Sequence, residues 1–322
     1  MTSAQASFPR WLLHLPGPGL AHLRPGPGPV PVSTPAAGPP HDDAWQQYWL
    51  ATWTSRNADW KPVVVAWGPG RCREFVAAVF PWFAPVYDAY PDETYRRDVV
   101  RYLFAFAYGG MYVEPTMECL RSVGELRSVG VDVMLGSLDD GLESAYSLPP
   151  HFFLSMPRAT FWLFVLEFLV YPDVWPGGEF IGGGGALDLT GARVLRLAYL
   201  EAQKPGRPWT SLRVAQHFQA ETRIPESAWA ALQVPLPPAL QAHWGLGPIP
   251  SRIGVLGPKA VYPLNWQDPA HARFHLDAAH AQFFNGEQNT AAAADDPRPS
   301  LLAKQSQAMR ATFPHAYAVD YW

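Results

Sequence analysis

The chain has 322 residues, of which 48% are hydrophobic and 16% are charged. This length and composition allow a sizeable buried core, in one large domain or in two smaller ones. The formal net charge is −4 and the basic residues form no cluster, which argues against nucleic acid and against an anionic membrane surface as partners. Cys72 and Cys119 lack the spacing of a zinc site or a disulfide framework, so we expect two buried thiols.

The first 40 residues are rich in proline and glycine. Because this composition resists helix and sheet alike, we expect residues 1–40 to be disordered. A short apolar run at residues 11–13 is interrupted at once by His14 and Pro16, so it is too short for a signal peptide or a membrane span. We therefore expect no transmembrane segment, which favours the cytoplasm by default.

Helices and strands are predicted to alternate from residue 43 onward. Aromatic side chains recur at three- and four-residue spacing over residues 43–55, which predicts a helix. The apolar run at residues 63–67 ends in Gly-Pro-Gly and is typical of a buried parallel strand. Residues 71–80 suit another helix. This alternation predicts an α/β fold with a mixed, mostly parallel sheet flanked by helices.

The most informative stretch predicts a helix, a turn, a strand and an acidic tip. Residues 98–108 are mostly apolar and tolerate a helix, and two glycines follow where that helix would end. Residues 111–113 favour a strand, which Pro115 stops because proline donates no amide hydrogen to a sheet. Glu114 is left at the end of this strand.

Three polar side chains lie on one face of the predicted helix. Asp98, Arg101 and Tyr102 stand at positions i, i+3 and i+4 of an otherwise apolar segment. Burying such charges is costly unless they are paired or used. Two interpretations are open: a structural pair of Asp98 with Arg101 that anchors the helix, or a polar rim over a ligand cleft. In the second, Glu114 reaches the same cleft at the carboxyl end of its strand.

Several motifs occur here in a recognisable order. The helix and strand are similar to "ADxxRYxxLxxYGG" followed by "IYxDxD", and residues 80–91 are similar to "PWFxPxYDxYP". These motifs resemble glycosyltransferase family 32, which contains yeast α-mannosyltransferases and inositol phosphoceramide mannosyltransferases. The resemblance extends from about residue 45 to residue 118. It implies a GT-A-like nucleotide-sugar-binding fold.

This resemblance also implies an activity. A family 32 enzyme would move a hexose, with mannose favoured, from a nucleotide-sugar such as GDP-mannose or a UDP-hexose to an acceptor hydroxyl, retaining the anomeric configuration. The acceptor would be a glycan or a glycolipid. We expect one such domain over residues 41–322, with an irregular insertion around residues 204–250. The resemblance favours the Golgi lumen, whereas the expected lack of a transmembrane segment favours the cytoplasm. The compartment therefore stays open between the two.

The donor-binding residues follow from the same resemblance, whereas no catalytic residue can be named. A run of four glycines could let the backbone approach a phosphate or sugar, although a tight turn explains it equally well. The predicted donor-binding residues are Asp98, Arg101, Tyr102, Gly109, Gly110, Tyr112, Glu114, Gly183, Gly184 and Gly185.

The metal motif departs from the family pattern. Where the family has Asp-X-Asp, this chain has Glu114-Pro115-Thr116. The family's carboxylates hold Mn²⁺ or Mg²⁺, and a neutral threonine should weaken binding of such a cation. Asp320 stands where the family's C-terminal motif has a histidine. The predicted metal ligands are Glu114, Thr116 and Asp320, with a solvated C-terminal carboxylate as the alternative for Asp320. For Glu118 we expect a solvated carboxylate at a strand end.

Further departures leave two functions open. Pro150 and Ala159 replace a polar Asn and His of the family, and His151, the nearest polar residue, is expected to be an ordinary core or rim histidine. The family's first strand has its expected counterpart at residues 30–33, and residues 285–310 are expected to form a surface loop. The chain is predicted to be a glycosyltransferase, or a degenerate relative that binds nucleotide-sugar or glycan without turnover.

Overall fold

The structure is a computed structural model, and it describes residues 12–16, 43–60, 62–171, 185–219, 248, 250–264, 271 and 298–321. The predicted role of Gly183 and Gly184 lies outside these residues, as do the strand expected at residues 30–33 and most of the insertion expected around residues 204–250. No helix in the described ranges is long and apolar enough to cross a membrane.

Eight strands occur in the described part of the chain and form two sheets. The strands are β1 (Leu12–Pro16), β2 (Val63–Trp67), β3 (Gly110–Val113), β4 (Met117–Cys119), β5 (Val133–Gly136), β6 (Phe152–Ser155), β7 (Ile253–Leu256) and β8 (Ala318–Asp320). Six of them form a sheet in the order β2-β1-β3-β6-β5-β7, and β4 pairs with β8 in a second, two-stranded sheet.

Ten α-helices occur in the same described ranges. They are α1 (Asp43–Arg56), α2 (Pro69–Val79), α3 (Ala84–Ala89), α4 (Glu93–Tyr108), α5 (Phe161–Val170), α6 (Ala186–Leu189), α7 (Ala192–Ala202), α8 (Gln216–Gln219), α9 (Pro258–Val261) and α10 (Arg298–Thr312). Helices α1, α2 and α4 and strands β2 and β3 confirm the elements expected there. Residues 204–219, the longest described stretch of the expected insertion, contain two 3-10 turns and α8.

The larger sheet is mixed and mostly parallel. Strand β1 pairs in parallel with both β2 and β3, and β5 pairs in parallel with β7. Strand β6 is the reversed strand, antiparallel to both β3 and β5. The predicted α/β class with a mostly parallel sheet is therefore confirmed.

Strand β1 corrects the expectation for the N-terminal segment. We expected residues 1–40 to be disordered, but Leu12–Pro16 lies inside the sheet, in register with β2 from Leu12–Val63 to Pro16–Trp67. The prediction is wrong for these five residues. Local composition favoured disorder, whereas two parallel neighbours offer backbone partners on both sides of the strand, and such tertiary pairing overrides propensity.

Alternate residues of the sheet pack on opposite faces, as the pleat of a strand requires. Tyr112 and Phe153 belong to the core that also contains α2, α4, α5 and α7. Met111 and Leu154 belong to the core on the other face, together with Trp53 of α1. Helix α4 lies inside the first of these cores, and all its residues from Asp98 to Tyr108 are buried.

Helix α4 has clear signals at both ends. Asp92 caps its start, since the Asp92 carboxylate accepts a 2.8 Å hydrogen bond from the Thr94 backbone N–H. Gly109 ends it with φ of 61°, and a Cβ there would lie 2.5 Å from the Pro157 nitrogen. Gly110 also has positive φ, at 93°. The structure therefore gives both glycines a role in the turn from helix to strand.

The C-terminal part of the chain differs from two expectations. Residues 298–310, expected in a surface loop, belong to α10, while residues 285–297 lie outside the described ranges. Glu118, expected in water, is 1% exposed and accepts hydrogen bonds from Ser306 of α10 and from the Tyr321 hydroxyl. Both predictions are wrong because segments distant in sequence meet here, with Ser306 of α10 donating to the Glu118 carboxylate of β4. Cys72 and Cys119 are buried free thiols, as expected.

Candidate functional site

Arg101 lies at the centre of a buried ionic cluster. One guanidinium nitrogen lies 2.6 Å from Asp98 Oδ1, and another lies 2.7 Å from Glu114 Oε1. The second nitrogen also donates to the Pro150 carbonyl at 2.8 Å. The Arg101 side chain is 3% exposed. The three charged residues that we predicted from sequence therefore meet in one place.

The secondary structure explains why they meet. Asp98 and Arg101 lie one turn apart on α4, so that their side chains share a face. Glu114 directly follows β3, which pairs beside β6, and the Glu114 backbone N–H donates to the His151 carbonyl at 2.9 Å. The Tyr112 hydroxyl donates to Glu114 Oε1 at 2.8 Å, and the Tyr112 ring lies 4.9 Å from the Arg101 guanidinium carbon. The strand end thus orients the carboxylate toward the helix.

Asp98 is held from its other side by the segment after α6. The Thr190 hydroxyl donates to Asp98 Oδ2 at 3.0 Å, and the Tyr102 hydroxyl donates to the Thr190 carbonyl at 2.8 Å. Tyr102 has no exposed surface, so in this conformation it supports Asp98 through Thr190 and does not line a ligand cleft. Asp98 itself is 8% exposed. The contacts of Asp98 with Arg101 and with Thr190 therefore agree with the structural interpretation, in which the Asp98–Arg101 pair anchors the helix.

A second polar cluster lies at the start of β4. Asp320 Oδ1 accepts a hydrogen bond from the Thr116 hydroxyl at 2.7 Å, and Asp320 Oδ2 lies 2.6 Å from His151 Nδ1. Pairing of β4 with β8 sets Met117 opposite Asp320, which brings the C-terminal strand to this position. Asp320 is 2% exposed, so the alternative of a solvated carboxylate is wrong.

The two clusters lie at the same edge of the sheet. A turn connects them, because the Met117 backbone N–H donates to the Glu114 carbonyl at 3.0 Å. Several side chains are partly exposed here, among them Glu114 at 13% and His151 at 24%. This edge lies at the carboxyl end of β3, where open α/β sheets bind their ligands.

The charges of the site shift its pKa values in both directions. Burial raises the pKa of Asp98, although Arg101 and the Thr190 hydroxyl oppose the shift. Burial acts on Glu114 too, but Arg101 and His151 outweigh it and lower the pKa of Glu114. Burial disfavours the charged imidazole, yet Asp320 outweighs it and raises the pKa of His151. Glu114 is therefore the carboxylate held in its charged form by neighbouring cations.

The predicted metal ligands do not fit a divalent cation in this arrangement. Thr116 carries no charge, and both oxygens of Asp320 are engaged by Thr116 and His151. Glu114 is already paired with Arg101. Across the described ranges, no group of three His, Cys, Asp or Glu residues is placed to hold a metal ion. The sequence correctly placed Asp320 beside Thr116, but together with Glu114 they do not form the expected ligand set.

Sequence reasoning underrated two members of the site. His151 was expected to be an ordinary core or rim residue, yet it contacts Asp320 and stands at the exposed edge. Pro150 was counted as a loss because its side chain is apolar, but its backbone carbonyl binds Arg101. The position of His151 directly before a strand was the available signal. Gly185, the described part of the tetraglycine, is exposed and precedes α6.

The match to known proteins covers the first of these clusters. Residues 43–132 match a family model described as a glycosyltransferase sugar-binding region containing the DXD motif. This region is of the family 32 glycosyltransferase type. It contains Asp98, Arg101, Glu114 and Thr116, whereas His151 and Asp320 lie beyond it. The resemblance inferred from the sequence motifs is thus confirmed for this region.

Curated relatives match this chain over short stretches. Inositol phosphoceramide mannosyltransferase 3 of Schizosaccharomyces pombe is 42% identical over 62 residues, which is 19% of this chain and 17% of the relative. Inositol phosphoceramide mannosyltransferase 2 of the same organism is 37% identical over 62 residues, 19% of this chain and 18% of the relative. The matches thus span less than a fifth of either relative's length.

Among solved structures, a chain described as PaToxG glycosyltransferase aligns with 72% of this chain and 82% of its own length. The sequence identity is 16% and the TM-score is 0.38.

Proposed function

We propose that this chain is a glycosyltransferase that moves a hexose from a nucleotide-sugar to an acceptor hydroxyl. The observation that carries the proposal is the convergence of Asp98 and Glu114 on Arg101, at 2.6 and 2.7 Å. This cluster lies inside the glycosyltransferase sugar-binding region and at the sheet edge that favours ligands. The proposed fold is GT-A-like, in one domain over residues 41–322.

Each member of the cluster has a distinct proposed role. The side chains of Asp98 and Glu114 are about equally exposed, at 12% and 13%. Both oxygens of Asp98 are bound within the protein, by Arg101 and Thr190. Arg101 and Tyr112 both contact Oε1 of Glu114, so Glu114 is the carboxylate that accepts hydrogen bonds from hydroxyl groups of the donor. Arg101 holds that carboxylate in place and keeps it charged, and Asp98 in turn fixes Arg101. A group that is oriented before the ligand arrives costs little reorganisation during the reaction. Asp98 and Arg101 are accordingly positioning residues.

The proposed reaction exchanges one bond of the sugar for another. The bond between the anomeric carbon and the phosphate oxygen breaks, and the nucleoside diphosphate leaves with the electron pair. The acceptor oxygen forms the new bond to the anomeric carbon on the same face, which retains the configuration. The proton of the acceptor hydroxyl passes to the leaving phosphate. No catalytic residue for this transfer is assigned.

Mannose is the favoured sugar. Support comes from the two Schizosaccharomyces pombe relatives, both described as inositol phosphoceramide mannosyltransferases. The proposed donor is therefore GDP-mannose, with a UDP-hexose as the alternative, and the proposed acceptor is a glycan or glycolipid. The matches cover less than a fifth of each relative, so the identities of the donor and the acceptor are proposed here and are tested by a screen of candidate substrates.

A panel of nucleotide-sugars tests the proposal. The full chain is incubated with each donor, and release of the nucleoside diphosphate is followed with and without simple mannosides and glycolipids. We expect release from GDP-mannose and its loss in Glu114→Gln. The matched control is Asp88→Asn, because Asp88 also pairs with an arginine, Arg73, but both side chains are about half exposed. Equal loss of activity in the control would contradict the specific role of Glu114, and no release from any donor would contradict the enzyme.

A second function follows from the same site. Thr116 replaces the second acid of the metal motif, and the Glu114 carboxylate is already paired with Arg101. These features favour a relative that binds a nucleotide-sugar or glycan without turning it over. In that case GDP or UDP raises the melting temperature of the folded chain by mass action, while no nucleoside diphosphate is released from any donor.

A further inference from the structure

We propose that the donor site operates without a divalent cation, and that the hydrogen-bonded array of Thr116, Asp320 and His151 replaces the metal site. The proposal rests on the proposed function, because it concerns the same nucleotide-sugar donor. It names the interaction that replaces the metal: His151, held by Asp320, contacts the diphosphate of the donor. Three observations support it.

The first observation concerns the oxygens that a cation would need. Mg²⁺ and Mn²⁺ require oxygen ligands in a near-octahedral arrangement, with carboxylates preferred. Both oxygens of Asp320 already make a protein contact, because Oδ1 accepts from Thr116 at 2.7 Å and Oδ2 lies 2.6 Å from His151 Nδ1. Its side chain is 1% exposed. A cation at Asp320 would have to reach a buried carboxylate and share it with Thr116 and His151.

The second observation concerns charge. A metal site places a cation beside its carboxylates, and in this protein an arginine occupies that position. Here the Glu114 carboxylate faces the Arg101 guanidinium at 2.7 Å, and the Asp98 carboxylate faces the same guanidinium at 2.6 Å. A dication placed at Glu114 would sit beside a buried positive charge and be repelled by it. The Arg101 guanidinium therefore already supplies a positive charge beside Glu114.

The third observation concerns access. The His151 side chain is 24% exposed, whereas that of Asp320 is 1% exposed, and the neighbouring Glu114 side chain is 13% exposed. His151 and Glu114 lie at the edge where β3 ends and β6 begins, joined by the hydrogen bond from the Glu114 N–H to the His151 carbonyl. A donor that places its hydroxyl groups on Glu114 would bring its diphosphate toward the imidazole.

Binding measured with and without metal tests the proposal. Isothermal titration calorimetry of the full chain with GDP and with UDP is carried out in EDTA and in MnCl₂. We expect the same affinity in both buffers. We expect His151→Asn and Thr116→Val each to weaken binding by about tenfold, a difference of about 1.4 kcal/mol, and Asp88→Asn to leave it unchanged. Melting curves of each variant establish that it is folded.

The outcomes separate this inference from the proposed function. Binding that needs MnCl₂ and disappears in EDTA overturns the metal-free site but leaves a nucleotide-dependent enzyme. Metal-independent binding that is unchanged in both folded variants, His151→Asn and Thr116→Val, overturns the role of the array. Absence of binding to either nucleotide in either buffer overturns this inference and the proposed function together.

Discussion

The Thr116 hydroxyl donates a 2.7 Å hydrogen bond to Asp320, although 204 positions separate the two residues in the chain. The pairing of β4 with β8 creates this contact, because it sets Asp320 opposite Met117, the neighbour of Thr116. The second position of the altered DXD motif therefore reaches a carboxylate after all, supplied from the far end of the fold. The Asp320 carboxylate contacts both the Thr116 hydroxyl and the His151 imidazole.

Replacing Arg101 by methionine should strongly destabilise the chain. The substitution leaves Asp98 and Glu114 buried without their shared cation, which we expect to cost about 3–5 kcal/mol in the free energy of unfolding. Arg73→Met is the control, because it breaks an ion pair whose two side chains are about half exposed and should cost less than about 1 kcal/mol. Urea unfolding measures both. Equal losses would contradict the central role of Arg101.

Gly109→Ala should cost more stability than Gly206→Ala. Both glycines have positive φ, 61° and 73°, so alanine is strained at each position. At Gly109 the ψ of −153° adds to this strain, because that combination of angles is essentially restricted to glycine. At Gly109 the new Cβ would also lie 2.5 Å from the Pro157 nitrogen, whereas at Gly206 nothing lies within 4 Å. Thermal unfolding of the two variants compares them. If Gly206→Ala were the more damaging change, the close packing at the end of α4 would be refuted.

Thr190→Val tests the support behind Asp98. Thr190 is fully buried and its hydroxyl donates to Asp98 Oδ2 at 3.0 Å, so valine leaves that oxygen unsatisfied. We expect a loss of about 1–3 kcal/mol. The control is Thr54→Val on α1, where the hydroxyl bonds to backbone carbonyls of its own helix and the loss should stay within about 0.5 kcal/mol. Chemical denaturation distinguishes the two.

The contribution of His151 to stability should depend on pH. Burial opposes the charged imidazole, but Asp320 outweighs it, so the pKa of His151 is raised in the folded chain. A raised pKa means that the stabilisation is fully present below the unfolded value of about 6.5 and is lost as the pH rises through the folded value. We therefore expect wild type to exceed His151→Gln in unfolding free energy most at low pH.

That difference is measured by urea unfolding of both proteins at a series of pH values from well below to well above neutral. Glu114 and Arg101 also act on His151, in opposite directions, so the series should be repeated with Asp320→Asn as background. There the pH dependence should shrink. A gap between wild type and His151→Gln that widened toward high pH would show that Asp320 does not hold the imidazolium.

Local signals were sufficient to predict the core of the site. Helix α4 could be placed because residues 98–108 are mostly apolar and Gly109 follows them, although the helix begins earlier, at Glu93. The position of Glu114 followed from the strand and Pro115. The spacing of Asp98 and Arg101 on one helical face predicted their pairing. These features depend on residues close in sequence, where helix geometry and turn chemistry dominate.

Contacts between distant segments were harder to predict. The burial of Glu118 depends on α10, and the inclusion of Leu12–Pro16 in the sheet depends on two neighbouring strands. Composition pointed the other way in both cases, toward a solvated carboxylate and a disordered segment. The contact of His151 with Asp320 likewise joins residues 169 positions apart. Only tertiary packing decides such contacts.

The most direct test of the proposed donor site is a crystal structure of the full chain with bound GDP-mannose. The account predicts the sugar nucleotide at the edge where β3 ends and β6 begins, with its hydroxyl groups on Glu114 and its diphosphate beside His151. A nucleotide bound elsewhere, with Glu114 and His151 out of contact with it, would contradict the account.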